Sequence, residues 1–444
     1  MADWLIRNAE LVNEGRRFHA DLRIRGQRID EIGAALSAHA GDQVFDAAGL
    51  WLLPGMIDDH VHFREPGYTA KADIASESRA AVLGGVTSFI DMPNTQPATL
   101  THALLEDKYA IASRASVANY AFYFGASNDN LDAIRALDPR KLPGVKVFLC
   151  ESTGNLCVSD PAALEGVFRD SPVTVLVHAE DSHIIHANLG RAKARYGDDI
   201  PMALHPEIRS RQACLESTKW AVATARRHGT RLHLLHVSTA DELALFEAGP
   251  IAGKMITAET CVHFLRYCDA DYPRLGGRIK CNPAIKAASD REALTRALAD
   301  TRIDVLATDH APHLESEKAY PYTRCPSGIP LIQFALQSAL ASVSRGDFTL
   351  ERLVEAYAHA PATLFAIKDR GYLREGCFAD LTLVDPDTPQ TVRREDVASK
   401  CGWSPFEGDT FHSSIAATFV NGSLVARNKK VLDASPGMRL EFDR

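Results

Sequence analysis

The sequence predicts an α/β protein: a parallel (β/α)8 barrel of the TIM type, with a small β-sandwich domain built from the N- and C-terminal segments. Three observations carry this. Eight short apolar runs end in polar residues and alternate with helix-like stretches. Strand-like alternation occupies both ends of the chain instead. No G-x-G-x-x-G follows any apolar run, which removes the main signature of the rival doubly wound sheet.

The opening strands come first. Trp4 to Val12 and Asp21 to Ile32, with Gly26 at a turn, alternate like a small antiparallel sheet. From Leu53 the eight runs follow: Met56–Phe63, Thr87–Met92, Asn119–Gly125, Gly144–Leu149, Val173–His178, Arg231–Val237, Met255–Glu259 and Asp304–Asp309. Helix starts between them are signalled by Thr239 with Glu242, by Ser289 with Glu292, and by Asp160 before Pro161. After Arg370 the strand pattern returns. Gly376–Asp380 leads into Leu381–Val384, and Asn421-Gly422 separates Ile415–Val420 from Ser423–Ala426 as a hairpin turn. The expected division is 1–52 and 370–444 for the two parts of the β domain and 53–369 for the barrel.

Composition excludes several classes. The chain has 444 residues, 46% hydrophobic and 24% charged, which rules out disorder, collagen and a disulfide scaffold. With 49 Lys and Arg against 57 Asp and Glu, the net charge of -8 argues against nucleic-acid and anionic-membrane partners. No apolar run approaches the ~20 residues of a membrane span. The start lacks a basic segment followed by an apolar one, so no secretory signal is expected. The nine cysteines contain no C-x-x-C pair and read as reduced thiols of a cytoplasmic protein. Cys150 is expected to pack as a small apolar residue.

The chemistry lies at the run ends. In a strand, alternate residues share a face, so His60, His62 and Arg64 are expected to point the same way. Two imidazoles one step apart suit one metal ion, although H-x-H alone is a common chance pattern. Lys146 sits inside an apolar run, where an unpaired amine is costly. Carboxylated, it becomes an anionic bridge between two metals; the plain alternative is a lysine that snorkels to the strand end. His178 and His236 each end a buried run, and Asp309 ends the eighth. Asp309 combines the roles of ligand and general base; the competing role, a helix N-cap, is opposed by Pro312 and His313 just beyond. His313 follows in a loop suited to touching substrate. Six such groups at one barrel end fit a binuclear centre, with donors that suit zinc and do not exclude manganese or cobalt. Glu180 and Asp181, just after His178, are rival oxygen ligands.

These residues resemble the amidohydrolase superfamily, and within it the dihydroorotase family. The superfamily pattern P-G-x-I-D-x-H-x-H stands here as Pro54 to His62. Longer matches are His62-Phe63-Arg64-Glu65-Pro66-Gly67, Gly84–Thr87 running to Asp91–Thr95, Cys281-Asn282-Pro283 and Thr308 to His313. The resemblance implies that His60, His62 and Asp309 hold the more buried of two Zn2+ ions. It assigns the other ion to His178 and His236, with carboxylated Lys146 and a hydroxide between them. It implies that Arg64, Asn94 and His313 bind the substrate carboxylate and that Asn282 contacts the ring. The implied reaction is the reversible opening of L-dihydroorotate to N-carbamoyl-L-aspartate in pyrimidine biosynthesis, with Asp309 shuttling the proton. A homodimer is implied as well, and association with aspartate transcarbamoylase is left open. The loop 314–325 is read as a lid, Gly328 as a backbone contact to the ring, and Cys401–Gly408 as packing.

Two rival readings remain. Allantoinases and hydantoinases share the ligands, but their substrates leave Arg64 and Asn94 without a purpose. A non-catalytic scaffold for aspartate transcarbamoylase would not need every ligand, and here every ligand is present.

Overall fold

The computed structural model describes residues 3–149, 156–432 and 437–444. Cys150 lies outside these residues. The chain opens with β1 (Trp4–Asn13), β2 (Arg16–Arg25) and β3 (Arg28–Gly33), an antiparallel meander. Gly26 takes a positive φ at the second turn, as its place in the sequence requires. β4 (Gln43–Asp46) and β5 (Trp51–Pro54) run parallel to β1 on its other side.

The barrel follows as β6 (Met56–Val61), β7 (Val86–Asp91), β8 (Asn119–Phe122), β9 (Phe124–Gly125), β10 (Gly144–Phe148), β11 (Thr174–His178), β12 (Leu232–Leu234), β13 (Ile256–Cys261) and β14 (Val305–Ala307). β8 and β9 are halves of one predicted run, interrupted at Tyr123, whose hydroxyl donates to the Asp59 carbonyl at 2.9 Å. All ladders are parallel, and the Val61–His310 bridge joins the eighth run to the first. The strands are buried on both faces, which is why they read as continuous apolar runs. Ile57, Ile90, Ala121 and Leu176 share one apolar cluster with Phe365, Leu440 and Phe442, so the returning C-terminal segment packs into the barrel core.

Ring closure is reinforced by Asp58. Its carboxylate accepts from the Thr308 hydroxyl at 2.7 Å and from the Thr308 amide at 3.2 Å. Burial pushes Asp58 up to about 6 despite these bonds.

One of the three helix starts forms as the sequence predicts; at the second, Ala240 and not Thr239 is the N-cap, and it makes no side-chain capping bond. Asp160 caps helix Pro161–Asp170 through the Ala162 amide, with Pro161 in the first turn. Glu242 receives the Thr239 amide and hydroxyl, although the segment it opens is a short 3-10 turn. The third differs: helix Ala288–Ala299 starts one residue before Ser289, and Asp290 supplies the carboxylate instead of Glu292. Asp290 is buried and also accepts from the Ala240 amide at 2.8 Å, a partner 50 residues away that local spacing does not reveal.

Beyond the barrel, β15 (Leu381–Asp385) pairs with β5 on one side, and β16 (Gln390–Thr391) and β17 (Thr410–Phe411) form a separate ribbon. β18 (Ser414–Val420), β19 (Ser423–Arg427) and β20 (Lys430–Val431) complete one nine-stranded sheet. The Asn421-Gly422 turn lies where predicted, both residues at positive φ. Two strands separate β18 from β1, a span of ~14 Å in a flat sheet. Yet Trp4 and Phe419 meet with ring centroids 5.4 Å apart. The sandwich character therefore comes from one sheet curling over Ile6, Leu22, Leu52 and Leu383.

The sheet is fastened to the barrel by a buried polar knot. Asp380 accepts from Arg370, from Asn119 Nδ2 at 3.1 Å and from the Asn421 amide at 2.8 Å. No helix among the described residues is long and apolar enough to cross a membrane. Removing one side of a buried ion pair costs about 3–5 kcal/mol. Asp380→Ala should therefore lower the unfolding free energy by an amount of that order, read as a lower urea midpoint at an unchanged slope; a midpoint at the wild-type value would show that the knot contributes nothing.

Candidate metal centre and substrate cavity

The C-terminal ends of the barrel strands surround one cavity. Nine of the ten site residues predicted from the sequence line it: His60, His62, Lys146, His178, His236 and Asp309, together with Arg64, Asn94 and Asn282. His313 is the exception and stands behind Arg64. The route by which Arg64 arrives also differs from simple strand alternation. β6 ends at Val61 and carries a register shift, and Arg64 has a φ of 67° in the turn that follows. A left-handed turn, and not the pleat, aims its side chain at the cavity.

The first ligand group is compact. Asp309 Oδ1 lies 3.3 Å from His60 Nε2 and 3.1 Å from His62 Nε2. His60, His62 and Asp309 offer ligand atoms that all lie within 4.8 Å of one another. The far side of each ring fixes its tautomer. His60 Nδ1 is 2.5 Å from Glu259 Oε1, and His62 Nδ1 is 2.8 Å from Asn94 Oδ1. Carboxylate and amide oxygens only accept, so each Nδ1 carries the proton and each Nε2 turns its lone pair to the cavity. A metal cation requires that arrangement.

The second group is built the same way. His178 Nε2 donates to Glu180 Oε2 at 2.9 Å, which leaves its Nδ1 facing His236 Nε2 across 2.8 Å. His236 Nδ1 has no hydrogen-bond partner among the described residues. Lys146 lines the same wall from the middle of β10, 1% exposed, with Nζ 4.5 Å from the Phe148 ring centroid. The donor set fits a metal centre in both ligand type and direction.

Charge is balanced around these groups. Burial opposes the Asp309 charge, yet its carboxyl lies well below the usual carboxylate range. Burial likewise opposes Glu259, which His60 and His233 bring down to about 2. Burial brings His62 down to about 4, so its ring is neutral at physiological pH. Glu180, opposed by burial, is brought to about 2 by Arg209 and His178. It accepts from both, and Asp181 caps helix Ser182–Tyr196, so the side chains of these two rival ligands are engaged elsewhere. Deeper lies a second ligand-type group, Asp59, His233 and Glu259. Asp59 is raised well above its usual value by burial, Glu259 and Asp58.

The remaining wall is polar and rigid. Arg64 Nε donates to the Pro312 carbonyl at 3.0 Å, and burial brings its guanidinium down to about 10, still charged at neutral pH. Asn94 accepts from His62 through its oxygen and keeps its amide nitrogen as a donor for a ligand. Asn282 Oδ1 is buried with no partner among the described residues. Gly328 also lines the cavity at a φ of 143°, where a Cβ would sit 2.5 Å from the Ala311 carbonyl. Only glycine allows that approach. The loop read as a lid is tied down: Lys318 Nζ donates to the carbonyls of Lys280, Pro326 and Gly328 at 2.8–2.9 Å. Trp403, from the stretch assigned to packing, is buried and donates to the His313 carbonyl at 2.8 Å.

Sequence reasoning missed Glu259 as the group that orients His60. Its position at the end of the seventh run was the available signal.

Known proteins resemble this chain over nearly its whole length. Residues 51–425 match the Amidohydrolase family. A dihydroorotase of Halobacterium salinarum is 37% identical over 431 residues, covering 95% of this chain and 96% of the relative. An allantoinase of Solibacter usitatus is 32% identical, covering 99% and 97%. The solved L-hydantoinase (dihydropyrimidinase) from Arthrobacter aurescens superposes with a TM-score of 0.93 at 27% identity, covering 99% of this chain and all of that one.

Loss of an outer partner of a metal-binding histidine typically weakens metal binding ~10–100-fold. Glu259→Gln should show a loss of that size in chelator-competition titrations while the far-ultraviolet circular dichroism stays native. Unchanged affinity would remove Glu259 from the account.

Proposed function

The chain belongs to the amidohydrolase family, and from that premise we propose that it is a dihydroorotase, a hydrolase that opens the cyclic amide of L-dihydroorotate to N-carbamoyl-L-aspartate and closes it again. The observation that carries this is Arg64. A permanently charged, buried guanidinium opens onto the same cavity as six metal-ligand groups. Arginine matches a planar carboxylate in a two-pronged geometry. A carboxylate on a cyclic amide is what distinguishes dihydroorotate from simple hydantoins.

His60, His62 and Asp309 would hold one zinc ion, and His178 and His236 a second, with Lys146 as a carbamate between them. When bound, such ions polarise an amide carbonyl and lower the pKa of water. The chain's own residues do the rest. Arg64 and Asn94 Nδ2 hold the carboxylate, and Asn282 Oδ1 accepts from a ring N–H. Asp309 faces both imidazoles through Oδ1 and takes the proton of the attacking water on Oδ2. It then returns that proton to the departing ring nitrogen as the C–N bond breaks. Asp309 is anionic at neutral pH, as a base must be. The tied-down Ser327–Gly328 wall limits water around the reacting amide. We assign 53–369 to the catalytic barrel and 1–52 with 370–444 to the flanking β domain.

An uncharged cyclic ureide as substrate is the second reading, favoured by the likeness to a hydantoinase and an allantoinase. It leaves the buried Arg64 charge without a counterpart.

Zinc- and bicarbonate-supplied protein should open L-dihydroorotate in a chelator-sensitive reaction followed by ultraviolet absorbance. Turnover of hydantoin or allantoin in its place would favour the second reading. Asp309→Asn should lower kcat by at least ~10²-fold with little change in KM, since proton transfer contributes about that much; a kcat near wild type would free Asp309 of the proton role. Arg64→Met should raise KM ~10–100-fold, the usual weight of a hydrogen bond to a charged group, and an unchanged KM would reopen the ureide reading.

A further inference from the structure

His313 is held among donors that it cannot all satisfy. Lys71 Nζ lies 3.0 Å from its Nδ1. Arg64 Nη2 lies 3.0 Å from its Nε2, and so does the Ser327 carbonyl. Burial and the surrounding cations Arg64, Lys318 and Lys71 push the His313 imidazole well below its usual value, with only Glu317 opposing them, so the ring is neutral. A neutral imidazole has one lone pair and one N–H. Ammonium and guanidinium groups only donate, and a carbonyl only accepts.

Two arrangements are available. With the lone pair on Nδ1, the ring accepts from Lys71 and donates from Nε2 to Ser327. With the lone pair on Nε2, it accepts from Arg64, but its Nδ1–H then points at the Lys71 ammonium and Ser327 loses its donor. The first satisfies two partners and the second one. Glu317 secures the choice: its Oε1 is 3.0 Å from Lys71 Nζ, so the ammonium is fixed between carboxylate and ring. In the preferred arrangement Arg64 Nη2 faces an N–H that cannot accept from it.

We propose that Lys71 is a positioning residue that claims the Nδ1 lone pair of His313 and so keeps Nη2 of Arg64 available for the substrate carboxylate. Lys71 does not line the cavity; it acts through His313 on the group that recognises charge. Affinity for a carboxylate-bearing ring then depends on a lysine outside the cavity wall. The inference deepens the dihydroorotase reading and rests on it.

Without Lys71, Nδ1–H can turn to Glu317 Oε2, 3.7 Å away, and Nε2 accepts from Arg64. The guanidinium is then partly spent on His313. Steady-state kinetics with L-dihydroorotate should show KM raised about tenfold in Lys71→Met, the scale of one charged hydrogen bond, with kcat within about twofold. Lys71→Arg, which keeps the donors, should recover most of the affinity. Lys71→Gln serves if the methionine variant does not fold, and its KM should rise likewise. Ring-nitrogen 15N spectra, assigned with His313→Asn, should show the Nε2–H tautomer in the wild type and Nδ1–H in Lys71→Met. An unchanged KM in both neutral variants, a lower kcat at constant KM, or an Nδ1–H tautomer in the wild type would each overturn the inference. Failure of the wild type to open dihydroorotate is read before any variant and counts against the functional reading, while the tautomer measurement still judges the Lys71 contact.

Discussion

The structure depends on one geometric demand: residues 60, 62 and 309 must bring ligand atoms to within 4.8 Å of one another. The ring of strands meets it here by setting the eighth run beside the first, although they lie far apart in sequence. The Val61–His310 bridge and the Asp58–Thr308 hydrogen bonds close that ring immediately beside the ligands. The fold and the site are thus held by the same few contacts.

Direction is the second constraint. An imidazole offers one lone pair when neutral, and its other nitrogen decides where that lone pair points. Glu259, Asn94 and Glu180 each accept from a ligand ring on the side away from the cavity. Two of these acceptors are anions at the depth of the barrel, and neighbouring histidines or Arg209 keep them charged. Asp59, beside the same cluster, is pushed the other way, well above its usual value, by burial, Glu259 and Asp58. The buried carboxylates therefore divide according to what each one touches.

Much of this was legible in the sequence. Strands buried on both faces read as short apolar runs, and all eight barrel strands fall on the predicted runs, with ends differing by up to three residues. The candidate ligand residues at run ends needed only that rule and the preference of barrel enzymes for the C-terminal face. What stayed hidden depends on partners distant in sequence. Glu259 meets a histidine 199 residues away. Asp290 displaces the expected capping pair because it also serves a loop 50 residues back. Arg64 reaches the cavity through a left-handed turn that strand alternation does not describe. His313, expected to touch substrate, stands behind Arg64 because Trp403, Lys71 and Ser327 hold it there.

Lys146 is a buried lysine on the wall of the cavity that both ligand groups line. The most direct test is to load the protein with zinc in 13C-labelled bicarbonate and to record its carbon spectrum and metal content. The account predicts one carbamate signal and two zinc ions per chain, with the signal and the second ion both lost in Lys146→Ala. Two ions retained without any carbamate signal would contradict it.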